Sequence, residues 1–481
     1  MAEHTLALVI KRHENDQGFL IVKQKRPPMF NDEEYDALLD SDLWDLLSTR
    51  LSPWGKEEET LNLCCVNNLE VLAEKIDLRN FNVQSAINSM LREIGLQTSD
   101  VTSYTCMKYV EEAPFGPGFV HTIFVSAQMK HADASLSGTC KWTCIEDCVR
   151  LTVDVKPNGD RMGPLIFGGL INASIKFSGK IDTTLKFQEY PPGITLVPMS
   201  SKTIKPFSTT NLVVIFPEKV SPMPDEDKFV ACGDALVVDP GCLPELHGKL
   251  EEIIRALPRK LIIFVTHHHH DHIDGLSKVK SVNPNAILLS HNNTMQRISK
   301  ENWGKEYTSV HGGEYISIGG QILQVLHAPG HTDGHMGLFH VSSRSLIVGD
   351  HCVGYGSAIL DQTAGGNMTD YFSTTYKFID LAPHLVIPMH GRINLWPKNL
   401  LCGYLKNRRM RESSILRAIE NGKQTLMEIV AEVYAETDPS FWKVASWGVK
   451  LHVDRLAQTN MLPPGFSWDT WNNSLDDNRL R

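Results

Sequence analysis

Thr266-His267-His268-His269-His270-Asp271-His272-Ile273-Asp274-Gly275 follows directly on the uninterrupted apolar run Leu261-Ile262-Ile263-Phe264-Val265. Such a run predicts a strand buried on both faces. Five histidines and an aspartate at its end are hard to explain by packing or as a solvated loop. Imidazole is the commonest protein ligand for zinc-like metals. Alternate side chains of an extended segment share a face, so His267 and His269 can reach one ion together. Asp271 and His272 follow where the chain must turn and can face a second, adjacent ion. His268 and His270 are expected to point away from the first.

The stretch has the form H-x-H-x-D-H and resembles the metallo-β-lactamase superfamily. Further candidates stand downstream in the order that resemblance implies. His331 lies in Ala328-Pro329-Gly330-His331-Thr332, Asp350 closes Leu346-Ile347-Val348-Gly349-Asp350, and His390 closes Leu385-Val386-Ile387-Pro388-Met389-His390. The resemblance implies an α/β fold, a four-layered αβ/βα sandwich with the metals at one edge of its facing sheets. It also implies two divalent ions, zinc being the expected one. His267, His269 and His331 would hold one ion and Asp271, His272 and His390 the other, with Asp350 bridging. Paired ions lower the pKa of a shared water to about 7 and give a hydroxide nucleophile. Asp271 then has a second, catalytic role in orienting that nucleophile. Asp239, in Val237-Val238-Asp239-Pro240-Gly241, looks like the family's early strand-end aspartate, expected to orient a ligand histidine. His335 is expected to have a local structural or substrate role.

The whole chain has 481 residues, enough for two or three domains. It is 42% hydrophobic and 21% charged, as soluble globular proteins are, with a net charge of −9. Any nucleic-acid contact must therefore come from a local basic patch. No apolar run approaches the roughly 18 residues of a membrane span, so no membrane partner is expected. The opening residues show no targeting pattern, and the expected location is cytoplasmic. Cys140, Cys144 and Cys148, spaced i, i+4, i+8, would share one helix face as small buried groups.

Residues 1–180 contain none of the candidate ligands. Leu6-Ala7-Leu8-Val9-Ile10 and Gly18-Phe19-Leu20-Ile21-Val22 flank the polar Asn15-Asp16-Gln17 and look like a hairpin. An amphipathic helix follows at residues 86–96, ended by Gly95. A hairpin with such a helix resembles a Nudix domain, whose signature is R-E-U-x-E-E-x-G-U (U aliphatic). In that register Asn88 and Ser89 replace R-E, Arg92 replaces the first glutamate of E-E, and Glu93, Gly95 and Leu96 stand. One carboxylate holds a magnesium–phosphate cluster poorly. The expectation is an α+β Nudix-like domain without pyrophosphatase activity.

The metal domain is expected over 194–400, with strand signals at 212–216, 235–238, 261–265 and 286–289 and helices at 243–257 and 275–280. Beyond His390 the composition turns basic. Lys398, Lys406, Arg408, Arg409, Arg411, Arg417 and Lys423 stand against Glu412 and Glu420. Arg408, Arg409 and Arg411 are the candidates to meet an anionic substrate. Gly422 ends a helix, Thr425-Leu426-Met427-Glu428 has capping-box form, and Asp438-Pro439 opens a further helix. Three short helices over 401–468 resemble a winged-helix module, leaving 469–481 as a polar tail.

This layout resembles the beta-lactamase-like protein 2 group over roughly 195–468. Pro329-Gly330-His331-Thr332-Asp333-Gly334-His335-Met336 and Gly349-Asp350-His351-Cys352-Val353-Gly354 carry the likeness. The resemblance implies an endoribonuclease acting on single-stranded RNA. A thioester or lactone hydrolase of glyoxalase II type, with a small anionic substrate, is the alternative, because the same ligands serve both chemistries. A purely structural metal site suits the chain less, since such sites need no open position. The chain departs from the group in its N-terminal region, in Asp274 where many members have glycine, and in Asn407 where members tend to have histidine.

Overall fold

The computed structural model describes residues 2–13, 17–54, 66–72, 75–131, 136–153, 155–170, 184–216, 226–304 and 306–475. The run Leu261–Phe264 is a strand, and all four of its residues are buried. Its neighbours are Ala235–Val238 and Ile287–Ser290, both parallel to it. With Thr209–Ile215, Ile194–Ser200 and two short edge strands they make a seven-stranded sheet. A second sheet of six strands runs from Ala231–Gly233 through Tyr315–Ile318, Gln321–His327, Met336–His340 and Ser345–Ile347 to Leu385–Ile387.

The central strands bury both faces, which is why Ala235–Val238, Leu261–Phe264 and Leu385–Ile387 read as continuous apolar runs. Leu196, Val213, Leu236, Ile262 and Phe264 of the first sheet meet Ile316, Val325, Leu338, Ile347 and Ile387 of the second in one apolar layer. On the outer face of the first sheet, Val237, Ile263 and Val265 pack under Leu250, Ile253 and Leu276 of the helices His247–Ala256 and Leu276–Val282. On the outer face of the second, Leu346, Val348 and Val386 pack under Tyr371, Phe378 and Leu401 of Met368–Asp380 and Pro397–Glu420. The order helix, sheet, sheet, helix is the four-layered sandwich expected.

The N-terminal region has two further four-stranded sheets and the helix Val83–Glu93. The expected hairpin is not formed. Glu3–Lys11 pairs with Leu47–Arg50 and, in parallel, with Val120–Met129. Phe19–Lys23 pairs with Leu43–Asp45 and Cys140–Thr143 in a different sheet. Asn15 and Asp16 of the expected turn lie outside the described residues. The cysteine triplet does not share a helix, because Cys140 begins a strand and the helix starts only at Ile145.

This region is joined closely to the sandwich. The Arg161 side chain is buried and donates to the carbonyls of Ser41, His384 and Leu395, with its guanidinium over the Trp396 ring. Trp396 cannot cap the helix Pro397–Glu420 with its own side chain. Asp40 does so across the join, its carboxylate accepting the N–H groups of Lys398 at 3.0 Å and Asn399 at 3.1 Å. A carboxylate at a helix N-terminus satisfies orphan donors and suits the helix dipole.

Pro397–Glu420 has 24 residues, so a boundary at 400 falls inside one helix, and the first of the three expected short helices is long. The other two follow as Leu426–Val433 and Trp442–Gln458. Thr425 and Glu428 form the expected capping box, and Asp438 caps the turn before Trp442. The expected polar tail is helical over Trp468–Leu475, because Trp471 is 1% exposed in the cluster with Ile429, Val449 and Val453.

Candidate metal centre

The strand Leu261–Phe264 delivers Thr266 and His267 to the edge of the sandwich, and the chain turns at once into the short helix His270–Ile273. The turn is tight against Pro240 and Gly241. A Cβ on Gly241 would stand 1.9 Å from the Asp271 carbonyl oxygen, so no other residue fits there. The remaining candidates arrive from the second sheet. His331 precedes the strand Met336–His340, Asp350 follows Ser345–Ile347, and His390 follows Leu385–Ile387.

Two sets of donor atoms converge. In the first, His267 Nε2 is 2.9 Å and His331 Nε2 3.2 Å from His269 Nδ1. In the second, Asp271 Oδ2 is 3.2 Å from His390 Nε2 and 3.6 Å from His272 Nε2. Asp350 stands between them. Its Oδ1 is 3.5 Å from His272 Nε2 and 3.4 Å from His390 Nε2, and its Oδ2 is 4.0 Å from His267 Nε2. Ligands at about 2.0–2.1 Å in a tetrahedron are roughly 3.3 Å apart, close to these separations. Both trios, His267/His269/His331 and Asp271/His272/His390, could each hold an ion. His272 Nε2 and Asp350 Oδ1 are buried and make no hydrogen bond among the described residues. Buried polar atoms are rarely left so, and a cation between them satisfies both. The donor set therefore fits divalent metal.

The electrostatics agree. Burial, and then the neighbouring imidazoles His272, His269 and His331, hold His267 well below the usual histidine range. Burial likewise brings His331 down to about 4. A neutral imidazole is the form that ligates. Against the cost of burial, the carboxylates of Asp271, Asp350 and Asp239 push His272 well up. Against the same cost, Asp350 and Asp271 push His390 up to about 10. Protons held this firmly between buried carboxylates mark a place built for positive charge.

Every candidate imidazole has its other nitrogen fixed, which sets ring orientation and tautomer. Asp239 Oδ2 is 2.8 Å from His272 Nδ1 and accepts the Thr266 hydroxyl at 2.6 Å. The Ile359 carbonyl is 2.5 Å from His331 Nδ1, and the Thr209 carbonyl 2.9 Å from His390 Nδ1. Asp361 Oδ2, 3.0 Å from His269 Nε2, completes the set and was not a sequence candidate. Its local sign was slight, an Asx turn on Thr363 in a loop without strand character. His335 is fully buried and holds the backbone that carries Asp350, accepting the Asp350 N–H at 3.1 Å. His270 is exposed and meets Asp274 at 2.9 Å, while His268 groups with His269 and Asp361. Asp274 also accepts the Lys202 ammonium at 2.7 Å.

The three arginines separate. Arg408 donates to the Ala358 carbonyl at 2.5 Å and lies over Tyr371. Arg411 lies 4.0 Å from the centre of the Tyr434 ring. Arg409 is held by Glu34 of the N-terminal region and by Tyr376. Arg408 and Arg411 thus line one cleft, and Arg409 belongs to the join with the N-terminal region.

Residues 229–390 match the family described as Metallo-beta-lactamase superfamily. The chain carries a metallo-beta-lactamase superfamily domain. Residues 425–460 match the Beta-lactamase associated winged helix domain, which assigns the C-terminal helices. The Beta-lactamase-like protein 2 homolog of Drosophila melanogaster is 26% identical over 211 residues, 42% of this chain and 69% of that protein. The homolog of Caenorhabditis elegans is 24% identical over 213 residues, 44% of this chain and 69% of its own. A Hydroxyacylglutathione hydrolase of Synechococcus sp. (strain JA-3-3Ab) is 33% identical over 116 residues, 24% of this chain and 43% of its own. Among solved structures, a Beta-lactamase domain protein from Burkholderia ambifaria is similar over 61% of this chain and 95% of its own, at 18% identity and a TM-score of 0.49. The metallo-beta-lactamase superfamily domain thus brings together a His/Asp cluster suited to divalent metal. Among the described residues no helix is long and apolar enough to cross a membrane.

Proposed function

We propose that the protein is an endoribonuclease that cuts single-stranded RNA at this centre. The observation that carries the reading is a cleft of about 720 Å³ between residues 357–360, the helix Pro397–Glu420 and the winged-helix domain. Its wall includes Ile359, whose carbonyl orients His331 of the first donor set. Phe441 and Trp447, 61% and 39% exposed, present aromatic surface there, beside Arg408 and Arg411. Unpaired bases stack on aromatic rings and guanidinium planes, and a double helix hides those faces. In a chain of net charge −9, such a local patch is what an anionic strand needs.

His267, His269 and His331 would hold one divalent ion and Asp271, His272 and His390 the other, with Asp350 between. Zinc is the ion this nitrogen and carboxylate mix suits first. Such ions supply Lewis acidity and a water of lowered pKa. Asp271 would also orient the attacking water. Asp239, Asp361 and the carbonyls of Ile359 and Thr209 keep the imidazoles aimed.

The second reading is hydrolysis of an acyl thioester, favoured by the 33% identity to a hydroxyacylglutathione hydrolase over 116 residues. One experiment separates the two. Metal-loaded wild type and Asp350→Asn are given end-labelled single-stranded RNA and, separately, S-acyl glutathione. RNA cleavage present in the wild type and lost in the variant supports the nuclease. Thioester turnover without RNA cleavage moves the assignment to the second reading.

We also propose that the N-terminal region is a Nudix-like fold without pyrophosphatase chemistry. Glu93 is half exposed and paired with Lys25, and Asn88 is bonded to Gln84. The full-length protein with magnesium should leave nucleoside diphosphate conjugates intact. Turnover that disappears in Glu93→Gln would overturn this.

A further inference from the structure

The link between the N-terminal strands Val101–Val110 and Val120–Met129 reads Glu111-Glu112-Ala113-Pro114-Phe115-Gly116-Pro117-Gly118-Phe119. It is closed on itself by Glu112, whose carboxylate accepts the Val120 N–H at 2.7 Å and whose own N–H meets His121 Nδ1 at 3.0 Å. The link then reaches the candidate metal centre twice. Glu112 takes Arg392 in a two-pronged ion pair, with one contact of 2.7 Å, and Arg392 also donates to the Gly118 carbonyl at 3.0 Å. Arg392 lies two residues beyond His390. Separately, the Pro114 carbonyl accepts the Thr209 hydroxyl at 2.9 Å, and the Thr209 carbonyl is the partner of His390 Nδ1.

We propose that this link is a positioning element for His390, so that the N-terminal region completes the second half of the metal centre. The two routes differ in kind. One pins the backbone just after His390 by charge, and the other fixes the carbonyl that aims its ring. The Glu112 side chain is 15% exposed, and a two-pronged guanidinium–carboxylate pair fixes direction as well as distance. The sandwich holds the same turn from its own side, since Asn211 donates to the carbonyls of Pro388 and Gly391. Among the described residues the first donor set has no such tie, because its partners Thr266, Asp361 and Ile359 all belong to the sandwich. Loosening the link should therefore weaken one ion and spare the other. The inference rests on the reading of Asp271, His272 and His390 as a ligand set.

The test is zinc stoichiometry and affinity of the full-length protein, by competition with a chelating dye and by elemental mass spectrometry, beside the melting temperature of the metal-free form. The variants are Glu112→Gln, Glu112→Ala, the reversal Glu112→Arg with Arg392→Glu, and Glu34→Gln. The last removes a different ion pair between the same two parts of the chain. The expected result is two equivalents in wild type and in Glu34→Gln. In Glu112→Gln the second equivalent should weaken by about 10–100-fold, as for other partners that orient ligands, with the first unchanged. The reversal should recover part of that loss. If Glu112→Ala fails to fold, Glu112→Gln decides, because it keeps the shape and an acceptor for Val120. Two equivalents at wild-type affinity in a folded Glu112→Gln would overturn the proposal, as would equal weakening in Glu34→Gln. Fewer than two equivalents in the wild type would instead remove the ligand assignment itself.

Discussion

At the scale of single residues, the centre was legible wherever a titratable side chain ends a buried apolar run. His267, Asp350 and His390 each do so, and a polar group in that place needs a reason. Asp361 gave no comparable sign, because its role depends on a loop brought back over His269 from 92 residues away. Asp350→Asn should reduce turnover by more than about 100-fold and lower metal content, beyond the roughly 10–100-fold in affinity that an orienting partner costs. Asp361→Asn should fall within that smaller range. It should weaken the ion held by His267, His269 and His331 while Asp271, His272 and His390 keep theirs. Metal titration of both variants, with turnover measured in parallel, checks the two expectations together.

Elements were read well where periodicity is strong and poorly where partners decide. The strands Ala235–Val238 and Leu261–Phe264 stand within a residue of the apolar runs, since burial on both faces leaves no other pattern. The false hairpin shows the converse. Glu3–Lys11 takes a parallel partner more than a hundred residues later, and parallel pairing leaves no local turn signature. The basic run was recognised as helical, yet only the fold separates its faces. Arg409 turns to Glu34, whereas Arg408 and Arg411 line the cleft. If bases stack in the cleft, Trp447→Ala should raise KM for single-stranded RNA by the equivalent of about 1–3 kcal/mol with little change in kcat. Initial rates on RNA and on an acyl thioester settle the point, because the smaller substrate should not feel the loss.

At the scale of the whole molecule, the join between the N-terminal region and the sandwich carries buried polar groups, Arg161 and Asp40, and sequence patterns are silent on them. Within the N-terminal region Asp45 is a further buried polar group, its carboxylate accepting the N–H groups of Leu46, Leu165 and Ile166 at 2.9, 3.2 and 3.0 Å. Burial pushes its carboxyl up to about 7. In the unfolded chain it ionises near pH 4, so folding holds a proton that the open chain releases. Its contribution to stability is therefore full below about pH 4 and is lost as pH rises through about 7, by up to ~4 kcal/mol. Metal-free wild type should lose stability relative to Asp45→Asn between pH 4 and pH 8. Urea midpoints of the two proteins across that range measure the gap, and a constant gap would refute the assignment. The cap that Asp40 lends to Pro397–Glu420 has a consequence for biosynthesis. The capping residue leaves the ribosome some 360 residues before the helix it completes. The growing chain must carry this half-made joint through most of translation, so ribosome-bound chains ending before residue 397 should be the protease-sensitive ones, and protection should arrive late and abruptly.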